Sequence, residues 1–231
     1  MRSEKLILKV MRAEVSGITE NIPPSHGAPH LFKVSEIAGY LARVLEVKPF
    51  LPCVAGLLHD LRFYNEEERR MRKIKISEKH AAKKSAGEIL DETRDITPEE
   101  KRAVLDAIEH HSELPQGNEA PLLLKVLRDA DRLSRQGYGG VHSLLSANQF
   151  YGVPFYLAGG EILWDPARPL LANENIKSCV DDIHACLGWF QIMETVPGKL
   201  LFSIMARVNI RFLEYIYQRV RTAKPEQNFY P

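Results

Sequence analysis

What the sequence lacks narrows its function first. Its three cysteines, Cys53, Cys179 and Cys186, are odd in number and form no CxxC pair, which argues against a zinc ribbon and against a disulfide framework. They suit a reducing cytoplasm. No apolar run approaches bilayer length, and Leu6-Ile7-Leu8 sits between Lys5 and Lys9, too short for a secretory core segment. A cytoplasmic protein without a membrane partner is expected. Neither sign of charge prevails, with 31 Lys and Arg against 30 Asp and Glu, so there is no bulk positive field for long nucleic acid. Any anion must be recognised locally. Strand-like alternation is missing, as is any internal repeat.

What remains is helical periodicity in a chain of 231 residues, 45% of them hydrophobic, enough for one sizeable core. The pattern predicts helices over 4–16, from Pro29 to the break at Lys48-Pro49, 52–63, 78–91, 97–112, 121–133, 142–149, 174–195 and 198–222. On the second, Val34, Ile37, Leu41, Val44 and Leu45 form the expected stripe, with His30 on the same face. His26 precedes that helix and reads as a loop or rim residue. Thr97-Pro98-Glu99-Glu100 combines an N-cap, a first-turn proline and a capping-box glutamate. The charged stretch 62–79 reads as a solvated connection, with a lid as the sharper alternative. Residues 137–169, rich in Gly, Pro and aromatics, read as a long ordered loop with one short helix.

Several polar side chains fall on inward faces. His59 and Asp60 stand at the edge of the apolar stripe Val54, Leu57, Leu58, Leu61, where an imidazole nitrogen and a carboxylate oxygen can address one point. Ser77 is a good N-cap, placing His80 in the first turn of its helix with Gly87 two turns on, where a glycine admits a close neighbour. Lys83 and Lys84 flank His80. His111 continues the line of Val104 and Ile108, and His110 the line of Ala103 and Ala107; the room beside the alanines favours His110 over His111. Asp129 and Asp131 lie on nearly opposite sides of one helix, so only one can face a given ion, and periodicity does not choose.

In order these residues are His30, then His59-Asp60, His80, His110-His111 and Asp131. The series resembles the HD-domain superfamily of metal-dependent phosphohydrolases, whose motif runs His, His-Asp and a final Asp, with added histidines in members that bind a second metal. Pro24-Ser25-His26 through Ala38, the His80 helix with Ser85-Ala86, Asp129-Ala130-Asp131-Arg132-Leu133, and Met193-Glu194-Thr195 to Arg207 look like one group of small stand-alone bacterial and archaeal HD hydrolases. The resemblance implies an all-α, single-domain HD-type helical bundle of about ten helices over 1–231, with a metal-site core at 24–135 and a helical completion at 136–231. It selects Asp131 as a ligand and leaves Asp129 behind it as support.

A mixed imidazole and carboxylate set suits one or two divalent ions such as Mn, Fe, Co, Ni or Zn. Asp60 is the expected centre of the chemistry. Arg62, Lys83, Lys84 and Arg132 are the candidate cations for charge developing on a phosphoryl group. The expected substrate is a small phosphorylated compound, plausibly a nucleotide, and a homodimer is compatible with the sequence. Phe63 stands three residues after Asp60, so the lysine of the cyclic-dinucleotide phosphodiesterases is missing, as are the nearby glutamate of some 5'-nucleotidases and a Gly-Tyr-Pro signature. Two other readings share the ligand order: a di-iron oxygenase of the myo-inositol oxygenase type, and a metal-holding regulatory domain without turnover.

Overall fold

Thr97 opens its helix as the sequence predicts. In the computed structural model its hydroxyl accepts from the Glu100 N–H at 3.2 Å and the Glu100 carboxylate accepts from the Thr97 N–H at 2.9 Å, a reciprocal cap worth about 1 kcal/mol. The structure describes residues 3–19, 27–61, 78–115, 119–150, 152–155 and 178–222. Among them are nine α-helices, one 3₁₀ helix and no strand. The helices are α1 (Glu4–Ile18), α2 (Ala28–Val44), α3 (Phe50–Leu58), α4 (Glu78–Glu92), α5 (Pro98–His110), α6 (Leu122–Ser134), α7 (Gly137–Phe150), α8 (Cys179–Leu187) and α9 (Val196–Thr222), with the 3₁₀ turn at Gly188–Ile192. None is long and apolar enough to cross a membrane. The all-α class is as expected. His26, Arg62, Ser77, most of the 62–79 stretch and residues 156–177 of the expected loop lie outside the described residues.

The chain divides into two compact units, Met1–Ser134 with Ile192–Leu201, and Arg135–Gln191 with Phe202–Pro231. In the first, α3 packs against α1, α2, α5 and α6, while α6 also meets α2 and α5. Leu31, Val34, Leu41, Val54, Leu57, Leu58, Val104, Ile108, Leu127 and Leu133 are fully buried there. The buried stripe of α2 runs through His30, Leu31, Val34, Ser35, Ala38, Gly39, Leu41 and Ala42. It is turned from the predicted one: Val44 is exposed. The cause is close packing of small residues. A Cβ on Gly56 would stand 2.7 Å from the Ser35 backbone, and one on Gly39 would stand 2.5 Å from Cys53 Sγ, so α2 and α3 meet along their smallest side chains rather than their largest.

In the second unit Val141, Leu144, Val180, Ile183, Cys186 and Leu213 form the core. Asn209 anchors the start of α7, its Oδ1 accepting from Gly137 N–H at 2.9 Å and its Nδ2 donating to Arg135 O at 3.1 Å. With that anchor α7 runs through the whole of 137–150, where the sequence suggested only a short helix. The single helix predicted over 174–195 is instead α8 followed by the 3₁₀ turn, the change of pitch coming at Gly188.

Because the atoms facing Gly56 are backbone, a methyl group cannot be accommodated by a rotamer change. Gly56→Ala should destabilise the protein by about 1–3 kcal/mol, read as a lower urea midpoint at unchanged slope.

Candidate metal centre

Two helix ends make the centre. The sequence predicts that helix α3 continues to 63, but it stops at Leu58, and His59 and Asp60 occupy the turn that follows. The Gly56 carbonyl, which a continuing helix would offer to the Asp60 N–H, lies 3.0 Å from His59 Nδ1, and the Leu61 N–H donates three residues back to Leu58 O at 3.1 Å. The same device recurs at the end of α5, where His111 Nδ1 lies 2.7 Å from Ile108 O. A carbonyl oxygen only accepts, so in both rings Nδ1 carries the hydrogen. Each Nε2 is left with its lone pair aimed at the site. His30, in the first turn of α2, has its Nδ1 3.3 Å from the Ser134 hydroxyl at the end of α6. Lys33 Nζ donates to Ser134 O at 2.6 Å and so holds that residue in turn.

The outcome is a convergence of donor atoms. His30 Nε2 and His59 Nε2 are 3.3 Å apart; Asp131 Oδ1 is 3.4 Å from the first and 3.6 Å from the second. Asp60 Oδ2 lies 3.9 Å from His30 Nε2 and 3.6 Å from His59 Nε2, and its other oxygen lies 3.6 Å from His111 Nε2. Two ligands about 2.1 Å from one ion at a tetrahedral angle are about 3.4 Å apart, so these spacings fit a shared divalent cation. The donor chemistry fits as well, with imidazole and carboxylate together. Among the described residues two sets can hold an ion: His30, His59 and Asp131; and His59, Asp60 and His111. His59 is fully buried and His30, Asp60 and His111 nearly so, while the Asp131 side chain is 28% exposed, leaving one side of the cluster open to a reactant.

The geometry sorts the other candidates. His111 is against Asp60, whereas His110 is exposed, its Nδ1 donating to Asp106 O at 2.8 Å. The preference for His110 is thereby reversed. The buried face of α5 follows the bulky Val104 and Ile108, and Ala103, one of the two alanines taken to make room, is itself exposed. His80 lies in the first turn of α4, and its side chain is outside the described residues. Among the described residues no atom stands within 4 Å of a Cβ built on Gly87, so the close neighbour expected there is not found among them. Lys83 is committed to Glu109, with Asp106 Oδ1 at 3.9 Å, and Lys84 is exposed. Arg132 is buried, donating to Ile192 O at 2.7 Å beside Asp129 and Glu194. Asp129 faces away from the cluster and accepts from the Glu194 N–H, the Thr195 N–H and the Thr195 hydroxyl at 2.7–2.8 Å. Sequence reasoning missed Ser134, whose only signal is its place three residues after Asp131.

Residues 27–136, which carry every one of these donors, match the family model of the HD domain. The chain carries an HD domain. Solved structures share its helical fold along nearly the whole length. A Lactobacillus plantarum protein covers 97% of this chain and 100% of its own, at a TM-score of 0.69 and 20% identity. An HD-superfamily hydrolase from Bacillus thuringiensis covers 95% and 100%, at 0.64 and 20%. Bacillus subtilis YpgQ, in complex with ADP, covers 96% and 97%, at 0.66 and 17%. No curated protein matches the chain in sequence.

Burial by itself would lower the His59 pKa, but the carboxylates of Asp60 and Asp131 outweigh it and raise the imidazole above its ordinary value. A raised pKa keeps a proton on the ring to higher pH, and that proton competes with a cation for Nε2. Ion affinity in the HD domain should thus be full above the raised pKa and fall as pH drops through it. Calorimetric titration of the metal-free protein with Co(II) should show progressively weaker binding from about pH 8 to about pH 6; an affinity flat across that range would exclude His59 as a ligand.

Proposed function

We propose that this HD-domain protein is a metal-dependent phosphohydrolase, and that His30, His59, Asp60 and Asp131 hold one divalent ion. The observation that carries this reading is the convergence of two Nε2 atoms and two carboxylates on one point, with the His59 tautomer already set by a backbone carbonyl. A divalent ion held there would lower the pKa of a bound water and polarise a phosphoryl oxygen. The chain's own contribution is to present that reaction with a buried floor and one open side. Asp131, the least buried of the four, stands at the mouth.

The substrate proposed is a small phosphorylated compound, with a nucleotide supported by the fold shared with YpgQ, which has been solved with ADP. Since Glu109 neutralises Lys83 and Arg132 serves the interior, we assign the phosphate charge to Lys84 on α4 and to Arg62, two residues after Asp60 in sequence. A second reading adds another ion beside the first. It is favoured by Asp60 Oδ1, which faces His111 Nε2 at 3.6 Å while Oδ2 faces the other pair, an arrangement suited to a bridging carboxylate.

Asp60→Ala should lose both retained metal, by elemental analysis, and phosphate release from nucleotides; full metal content would sink the ligand assignment. Release of phosphate under argon separates hydrolysis from the oxygenase alternative, which would instead consume dioxygen with Fe(II). A bound ion with neither activity would leave a regulatory domain. If two ions bind, His111→Ala should reduce Co(II) stoichiometry from two to one while His110→Ala leaves it at two. Lys84→Ala should raise KM, or lower kcat if its contact exists only in the transition state.

A further inference from the structure

Between α6 and the segment that leads into α9 lies a buried group of four charges that the proposed chemistry does not use. Arg128 is 4% exposed. Its Nε and Nη2 both donate to the His110 carbonyl, at 3.3 and 2.9 Å, and its Nη1 lies 3.4 Å from each oxygen of the buried Glu194 carboxylate. Arg132 Nη1 lies 3.6 Å from Glu194 Oε1 and from Asp129 Oδ1. Asp129 in turn holds the Glu194 backbone N–H. Two cations and two anions balance, so the group can remain charged in a dry interior.

The target of this network is informative. Helix α5 ends at His110, and its carbonyl, which also accepts from the Glu113 N–H at 3.1 Å, belongs to the peptide that leads into His111. A guanidinium that grips one oxygen with two N–H groups fixes direction as well as distance, which an ammonium cannot do. The His111 ring depends on that peptide for its orientation, because its own Nδ1 hydrogen bond goes only to Ile108, within the same helix end. Glu194 is distant in sequence from every candidate ligand, yet it is the carboxylate that orients Arg128.

The geometry points to Arg128 and Glu194 as positioning residues for the centre: Glu194 aims the Arg128 fork, the fork holds the His110 carbonyl, and that carbonyl places His111 against Asp60. The inference rests on the reading above in which His111, with His59 and Asp60, holds an ion. Removing one charge would strand the other, and such a variant can fail by unfolding alone. The paired variant Arg128→Met with Glu194→Met avoids this, since an ion pair replaced by apolar groups of similar size often keeps its stability.

The test is Co(II) titration of the full-length metal-free protein by calorimetry, with the visible absorption of bound Co(II) as a second readout and thermal unfolding as the control for folding. The paired variant should unfold near the wild-type temperature yet bind Co(II) about 10- to 100-fold more weakly, the usual effect of losing a group that orients a ligand. Its spectrum should shift in the same way as that of His111→Ala. Added to His111→Ala, the pair should cause no further loss, because both changes act through one ring. Arg128→Lys, which keeps the charge without the fork, should show the weaker binding too. Wild-type protein that takes up no Co(II) overturns the metal reading and this inference with it. Wild-type affinity and spectrum in a folded paired variant, or losses that add to those of His111→Ala, overturn the positioning role alone.

Discussion

The close approach of α2 and α3 is the constraint on which the centre depends. Gly56 lies against the Ser35 backbone and Gly39 against Cys53, and this contact brings His30, near the start of one helix, to 3.3 Å from His59, just past the end of the other. Imidazole nitrogens at that distance with both lone pairs facing would repel. The shared site demands a proton or a cation between them, and two carboxylates on the same point make a divalent ion the natural occupant. Larger residues at the helix crossing would push the two helices, and with them the two rings, apart.

The second constraint is on orientation. His59 and His111 each sit immediately after a helix, with the ring folded back on the carbonyl three residues earlier. This uses a carbonyl that a helix end would otherwise leave without an intrahelical partner, and it fixes the tautomer in the same stroke. His30 cannot use its own helix in this way, because it stands at the start of α2 where backbone N–H groups are presented rather than carbonyls. Ser134, from a helix remote in sequence, takes that part. The candidate ligands are therefore oriented by two different direct contacts, a backbone carbonyl for His59 and His111 and a side-chain hydroxyl for His30.

Much of this was legible in the sequence, and the exceptions have physical causes. Helix starts were readable because their signals are local: Thr97, Pro98 and Glu100 act within one turn. His30 and the His59-Asp60 pair stood out because polar groups in apolar periodicity need partners. The end of α3 was not readable, since Leu61 continues the apolar spacing and what stops the helix is a side-chain hydrogen bond to Gly56. His111 was passed over for His110 on the argument that alanines make space. In α5 the β-branched Val104 and Ile108 set the buried face, and burial follows apolar area before it follows room. The face of α2 was misjudged for the opposite reason, as Ser35, Ala38 and Gly39 are inside because they are small.

Asp129 and Asp131 show how one short helix segment serves two needs. Two residues apart, they point in nearly opposite directions. Asp131 meets the imidazoles on one side, and Asp129 on the other accepts three hydrogen bonds at Glu194 and Thr195. A Cβ on Gly198 would stand 2.3 Å from Asp129 Oδ2, so the start of α9 is pressed onto this carboxylate with no space for a side chain. Burial pushes the Asp129 pKa up against the pull of its hydrogen bonds and of Arg132, a cost borne in a helix that also buries Arg128 and Arg132. Its return is rigidity: α6 is clamped from behind at the residue beside Ala130, so that Asp131 meets the two imidazoles at a fixed distance.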